Sequence, residues 1–251
     1  SKNSVKAVLA VHLFGNACDI ERLQSLCEKY NIFLVEDIAQ CFGAKLGVKY
    51  IGTYGNLGCT SFNGNKVMTA GSGGMVFAKD EALAGKIKYY SEQAKEPGNE
   101  YIHNEVGYNY RMTNIHASIG LGQLEQLDGF IKRRREIGAA YLKDLSAIDG
   151  IQVLEERERL QGICWIYTIR IDKEITGVEC RKFRDHLVER KIGCRTVWQP
   201  LHQSLIYKDC QSYKVEVSNR LYDECLSLPS SASLSDEDLN YVIKEIEKYF
   251  S

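Results

Sequence analysis

The chain has 251 residues, enough for one large domain or for a large and a small one. Its 32 basic and 33 acidic residues nearly cancel, which gives no support to a nucleic-acid or anionic-membrane surface, and no apolar run reaches membrane-spanning length. Nine cysteines are scattered without a C-x-x-C pair and the five histidines stand apart; this argues against a metal site or a disulfide framework and for reduced thiols in a cytoplasmic protein.

In chain order, residues 5–13 are apolar and end at Phe14-Gly15-Asn16, the pattern of a strand followed by a turn. Asp19 is placed to N-cap a helix over Ile20–Tyr30, in which Ile20, Leu23, Leu26 and Cys27 share one face. A short continuous apolar run at 32–35 follows, as in a parallel strand buried on both sides. These elements form a βαβ unit whose strands should run parallel with a right-handed crossover. The second strand ends in Glu36 and Asp37, where a doubly wound sheet places its ligand crevice. Glycines at 43, 47, 52, 55 and 58 suit turns around short strands at 44–50 and 57–62. Gly71-Ser72-Gly73-Gly74 leads into an apolar strand at 75–78.

Residues 80–93 read as an amphipathic helix, 97–111 as a polar loop, and 113–140 as one or two helices with Ile115, Ile119, Leu121, Leu124 and Leu127 at helical spacing. The cluster Lys132-Arg133-Arg134-Arg135 spreads around a helix and reads as a solvated face. From about residue 149 the pattern turns α+β. A strand is expected at 164–171, a capping box at Thr176-Gly-Val-Glu179 for a helix ending at Gly193, and a strand at 195–198. Ser235 is expected to cap a last helix over 239–250.

The chemistry-bearing residues lie between positions 31 and 66. A carboxylate at a strand end, a hydroxyl (Ser61) near glycines and one lysine (Lys66) in a tight loop are the parts of a pyridoxal phosphate site. The cofactor needs a carboxylate to keep its ring nitrogen protonated, a desolvated lysine for its aldehyde carbon, and hydroxyl and N–H donors for its phosphate. The same residues have a plainer reading, since an acid closing a strand more often serves the loop and a lone lysine is usually solvated. Two nucleotide-binding folds are excluded: the P-loop pattern is absent around Lys66, and F-G-N-A-C-D occupies the first turn in place of G-x-G-x-x-G.

Four ordered blocks carry a more specific signal: V-E-D-I-A-Q at 35–40, S-F-N-G-N-K at 61–66, G-S-G-G-M at 71–75 and G-Y-N-Y-R-M-T-N-I-H-A at 107–117. In order and spacing they resemble the DegT/DnrJ/EryC1/StrS family of pyridoxal phosphate-dependent sugar aminotransferases, over the chain from about Val8 to the C-terminal helix. The resemblance implies an α/β chain of the fold type I transferases. It would comprise a partial large domain with a mainly parallel sheet (1–130) and a smaller α+β C-terminal domain (131–251). It also implies that the chain lacks the N-terminal third of such proteins, which keeps open a catalytically incomplete fragment or a cofactor-binding protein that does not turn over.

By the same resemblance, Asp37 pairs with the ring nitrogen of pyridoxal 5'-phosphate, Gln40 lies by the ring hydroxyl, Ser61 contacts the phosphate and Lys66 is the Schiff-base residue. Asn109 would reach the cofactor phosphate of a partner subunit in a homodimer, with Arg111 beside phosphate or substrate. His202 would stand by the substrate. For His12, a packed strand-end histidine and a substrate contact are equally open, and for His202 a loop residue without a role competes. The implied reaction moves an amino group from glutamate to a nucleotide-linked 4-keto-6-deoxy sugar. S-F-N-G-N-K resembles the branch acting on UDP-linked N-acetylhexosamines. The dehydratase branch, with histidine for the lysine, is opposed by Lys66.

Overall fold

The computed structural model describes residues 5–251. In chain order it contains β1 (Ala7–Val11), α1 (Ile20–Tyr30), β2 (Phe33–Asp37), β3 (Lys45–Leu46), β4 (Lys49–Tyr50), β5 (Leu57–Ser61), β6 (Gly74–Ala78), α2 (Glu81–Ser91), α3 (Asn114–Leu124) and α4 (Leu127–Leu145). There follow β7 (Ile151–Val153), β8 (Leu160–Gln161), β9 (Tyr167–Ile171), α5 (Lys173–Thr176), α6 (Cys180–Glu189), β10 (Arg195–Thr196), α7 (Glu216–Glu224), β11 (Cys225–Leu228) and α8 (Asp236–Phe250). The described residues fall into two compact units: residues 5–131 with 158–163, and residues 132–157 with 164–251.

The first unit is built on a four-stranded sheet in the order β1-β2-β5-β6. β1 and β2 are parallel, with Val8 opposite Leu34 and Val11 opposite Asp37, as the βαβ pattern requires. β2 and β5 are also parallel and bring Asp37 opposite Cys59. β6 joins antiparallel, with Ser61 opposite Gly74. The expected strand at 44–50 is instead a two-residue hairpin, β3–β4, to which β8 adds a third strand from far along the chain. Asp19 does occupy the N-cap position of α1, but its side chain makes no capping hydrogen bond; Asn31 in a left-handed conformation closes the helix. The apolar spacing over 113–140 yields two helices, α3 and α4. Ile115, Ile119, Leu121 and Leu124 of α3 remain exposed, and only Leu127, at the start of α4, is buried.

The second unit stacks α4, α6 and α8 on an antiparallel sheet ordered β10-β11-β9-β7. α8 contributes Leu239, Val242, Ile243 and Ile246, spaced so that one stripe faces the sheet. Ser235 caps it by accepting the Asp238 N–H, as the sequence indicates. Tyr141 of α4 is fully buried, stacks on Tyr167 with centroids 4.9 Å apart, and donates its hydroxyl to Pro229 O.

Two expectations need correction here. Thr176 and Glu179 do not form a capping box. Thr176 ends α5, which Asp172 caps, and its hydroxyl accepts the Val178 N–H, while Glu179 makes no capping bond to α6. The basic cluster is not a uniformly solvated face either. Arg134 is 8 % exposed and donates Nη1 to Trp165 O (2.6 Å) and Ser230 O (2.8 Å), while Arg133 reaches Leu234 O and Asp236. Consecutive residues on a helix point 100° apart, so one of three arginines can enter the interior while its neighbours stay outside.

Candidate active site

The parallel pair β2–β5 sets the site. Asp37 is the last residue of β2 and is half-buried; its Oδ1 accepts the Ala39 N–H at 2.9 Å. Its main-chain carbonyl accepts the His12 N–H, and the next amide, Ile38 N–H, donates to Cys59 O at 2.8 Å, so the end of β2 is tied to both neighbours. Two residues beyond Cys59, Ser61 closes β5, and its Oγ accepts the Asn63 N–H. The chain then doubles back tightly: Lys66 N–H donates to Asn63 O, Ala70 N–H to Phe62 O, and Phe62 N–H to Gly73 O. This turn returns Lys66 toward the strand end it left. The carboxylate, the hydroxyl and the lysine therefore gather at the carboxyl ends of the parallel strands, where open α/β sheets bind ligands.

The electrostatics agree with that placement. Burial pushes the Lys66 amine below its ordinary pKa, and the negative Asp37 works in the opposite direction. A lysine so placed gives up its proton more readily than a solvated one, which a nucleophilic amine requires. Burial, with a smaller effect of Asp37, raises the Cys59 thiol and keeps it protonated. The donor set fits pyridoxal phosphate: a carboxylate for a ring N–H, a desolvated amine for an aldehyde carbon, and a hydroxyl at a glycine-bearing turn for phosphate.

The other site residues fall into distinct groups. Gln40 is half-buried three residues past Asp37, and its Oε1 accepts the Phe14 N–H at 2.9 Å, which leaves its amide NH2 as a donor. Asn109 is exposed and pairs with Glu92 in an isolated bridge, and Arg111 is exposed beside Glu92 at 3.6 Å. In the second unit, His202 lies on a 3-10 turn (Leu201–Gln203) and its Nε2 is 2.7 Å from Asn219 Oδ1. His12 has no exposed surface; its Nε2 is 3.2 Å from Glu36 Oε2, and its Nδ1 accepts the Cys18 N–H. Of the two readings open for His12, this geometry favours the packed histidine.

Glu36 has no role in the sequence reading beyond being an acid at a strand end. It is fully buried, and its carboxylate accepts the N–H groups of Gly52 (2.9 Å), Tyr54 (2.7 Å) and Gly55 (2.6 Å) besides the contact with His12. Burial alone would raise its pKa, but the hydrogen bonds from His12, Gly55 and Gly52 hold it below the ordinary carboxylate value. The glycines at 52 and 55 were the available signal, since bare backbone amides at close approach are what such a carboxylate needs.

A half-parallel α/β unit with a lysine and an aspartate converging at its strand ends is the arrangement of the fold type I pyridoxal phosphate transferases. Residues 2–247 match the model of the DegT/DnrJ/EryC1/StrS aminotransferase family, and the chain belongs to it. It is 38% identical over 249 residues to the GDP-perosamine synthase of Escherichia coli O157:H7, covering 99% of this chain and 67% of that protein. The GDP-perosamine synthase of Vibrio cholerae is 34% identical, with 98% and 67% covered. Among solved structures, the aminotransferase TlmJ of Streptoalloteichus hindustanus superposes with a TM-score of 0.90 at 28% identity, covering 99% of this chain and 66% of that one. The chain thus spans about two thirds of the length of these relatives.

Proposed function

We propose that the protein transfers an amino group from glutamate to a nucleotide-linked 4-keto-6-deoxy sugar, with pyridoxal 5'-phosphate as cofactor. The observation that carries this reading is the convergence of Asp37 and a desolvated Lys66 at the ends of β2 and β5. Bound pyridoxal phosphate would supply the electron sink for proton loss at the donor's α-carbon. Asp37 would hold the proton on the ring nitrogen, and Ser61, with amides of the turn, would anchor the phosphate. Gln40 would offer its amide NH2 to the ring hydroxyl. Lys66 would attach the cofactor at rest; displaced by the amino donor, it would take the α-proton and, as general base and acid, deliver it to the cofactor's former aldehyde carbon on the other side of the transferred nitrogen. The second half-reaction runs the same steps in reverse on the sugar ketone.

Two readings of the nucleotide compete. The loop S-F-N-G-N-K favours a UDP-linked N-acetylhexosamine, whereas relatives named GDP-perosamine synthases favour a GDP-linked sugar. The protein is further proposed to be a homodimer in which Asn109 reaches the partner's cofactor phosphate, with Arg111 and His202 toward substrate. The exposed position of Asn109 and the uncovered apolar side of α3 support that arrangement.

The test is a visible absorption spectrum with pyridoxal phosphate, before and after borohydride, followed by peptide mapping. A band trapped on Lys66 and shifted by glutamate is expected; label scattered over surface lysines would sink the reading. Turnover with UDP- and GDP-linked 4-keto-6-deoxy sugars then separates the two nucleotides.

A further inference from the structure

Glu36 and Asp37 are consecutive on β2, so their side chains leave opposite faces of the sheet. Asp37 faces the side where Lys66 and Ser61 converge; Glu36 is enclosed on the other. Its carboxylate joins three pieces of chain. His12 follows β1, Glu36 itself belongs to β2, and the amides of Gly52, Tyr54 and Gly55 belong to the segment that leads directly into β5. The packing there has no slack. A Cβ on Gly55 would lie 2.5 Å from Leu34 O, and one on Gly58 would lie 2.2 Å from Gly52 O. Lys79 Nζ adds a bond to Tyr54 O on the same segment.

We infer that Glu36 is a positioning residue for Asp37: its four-donor cradle locks the spacing of β1, β2 and β5 at the strand ends and so aims the Asp37 carboxylate at the cofactor's ring nitrogen. The inference rests on the cofactor reading above. Main-chain bonds tie residues 36–38 to both neighbouring strands, and the buried Glu36 carboxylate adds a side-chain anchor on the face opposite Asp37. Only an ionised carboxylate can accept all four donors. A glutamine would turn an NH2 group toward one of the N–H groups, placing donor against donor. Ala39 N–H already takes Asp37 Oδ1, so the other oxygen is the one that would accept a ring N–H, and a small tilt of the strand end moves it out of line.

The test compares equilibrium binding of pyridoxal phosphate with binding of its 1-deaza analogue, in which C–H replaces the ring nitrogen. It uses the full chain, followed by absorbance. Wild type should prefer the natural cofactor, Asp37→Ala should abolish the preference, and Glu36→Gln should narrow it roughly tenfold, the worth of one charge-assisted hydrogen bond. The analogue's own affinity should hardly change. Equal weakening of both ligands in Glu36→Gln, or no change in either, overturns the inference and leaves the cofactor reading standing. Failure of wild type to bind pyridoxal phosphate at Lys66 overturns both. Should Glu36→Gln fail to fold, His12→Gln, which alters one donor and keeps the carboxylate, must narrow the preference in the same direction, and an unchanged preference there is equally fatal.

Discussion

At the scale of single residues, the site depends on two groups whose surroundings set their charge. Lys66 owes its lowered pKa to burial, so its chemistry comes from place and not from residue type alone. Lys66→Ala is expected to abolish borohydride-trapped label and to lower turnover about a thousandfold, measured as glutamate-dependent product formation. Glu36 works the other way, as an acid held ionised by donors. Its folded-state pKa lies below the unfolded one, so its contribution is complete above the ordinary glutamate value of about 4.3 and is lost as pH falls through the depressed folded value. Denaturant titrations at pH 7 and below pH 4 should show this loss in wild type and a flatter acid limb in Glu36→Gln. Glu36→Ala, which strands three buried amides, should cost roughly 3–5 kcal/mol at neutral pH.

At the scale of elements, close approach and buried polar bonds decide what each segment tolerates. Gly58→Ala drives a Cβ onto the Gly52 carbonyl and is expected to destabilise by about 3 kcal/mol or more. Gly129→Ala, inside α4 with no atom near the new methyl, should stabilise by about 0.5–1 kcal/mol, because alanine loses less freedom in a helix. Thermal melts of the two variants should therefore move in opposite directions. In the second unit, Arg134→Leu removes the buried guanidinium donor from the Ser230 carbonyl and from the Trp165 carbonyl, which keeps only the Ser230 hydroxyl at 3.2 Å, and should cost about 3 kcal/mol, whereas Arg135→Ala, on the exposed side, should stay within about 0.5 kcal/mol. The run K-R-R-R gives no hint of this difference, since it depends on which residue of the helix meets the segment before β9 and the segment after β11.

At the scale of the whole molecule, the proposed homodimer makes a sharp prediction. If Asn109 serves the partner's cofactor, Lys66→Ala and Asn109→Ala each yield dead or nearly dead enzyme. A heterodimer of the two then holds one doubly damaged site and one intact site. Mixing equal amounts under exchange conditions should restore roughly a quarter of wild-type activity, as random pairing of two subunits requires. No recovery would mean that Asn109 acts within its own chain. α3, with Ile115 and Leu121 strongly exposed, is the element such a partner would cover.

The sequence by itself determined the βαβ start, the bounds of α1, the last helix with its Ser235 cap, and the four blocks that mark the family. These are local patterns of period and spacing, which neighbours along the chain set among themselves. It also put Asp37 and Ser61 at strand ends and Lys66 in the loop after the second, where the structure has them. Only the tertiary structure decided that β6 joins antiparallel, that β8 returns to the first unit's hairpin, that Arg134 points inward and Thr176 caps no long helix, and that Glu36 sits among amides sixteen to nineteen residues away. Apart from Thr176, whose bonds are to near neighbours, each of these rests on a contact between segments distant in sequence, whose free energy comes from burial and hydrogen bonding that no local pattern encodes.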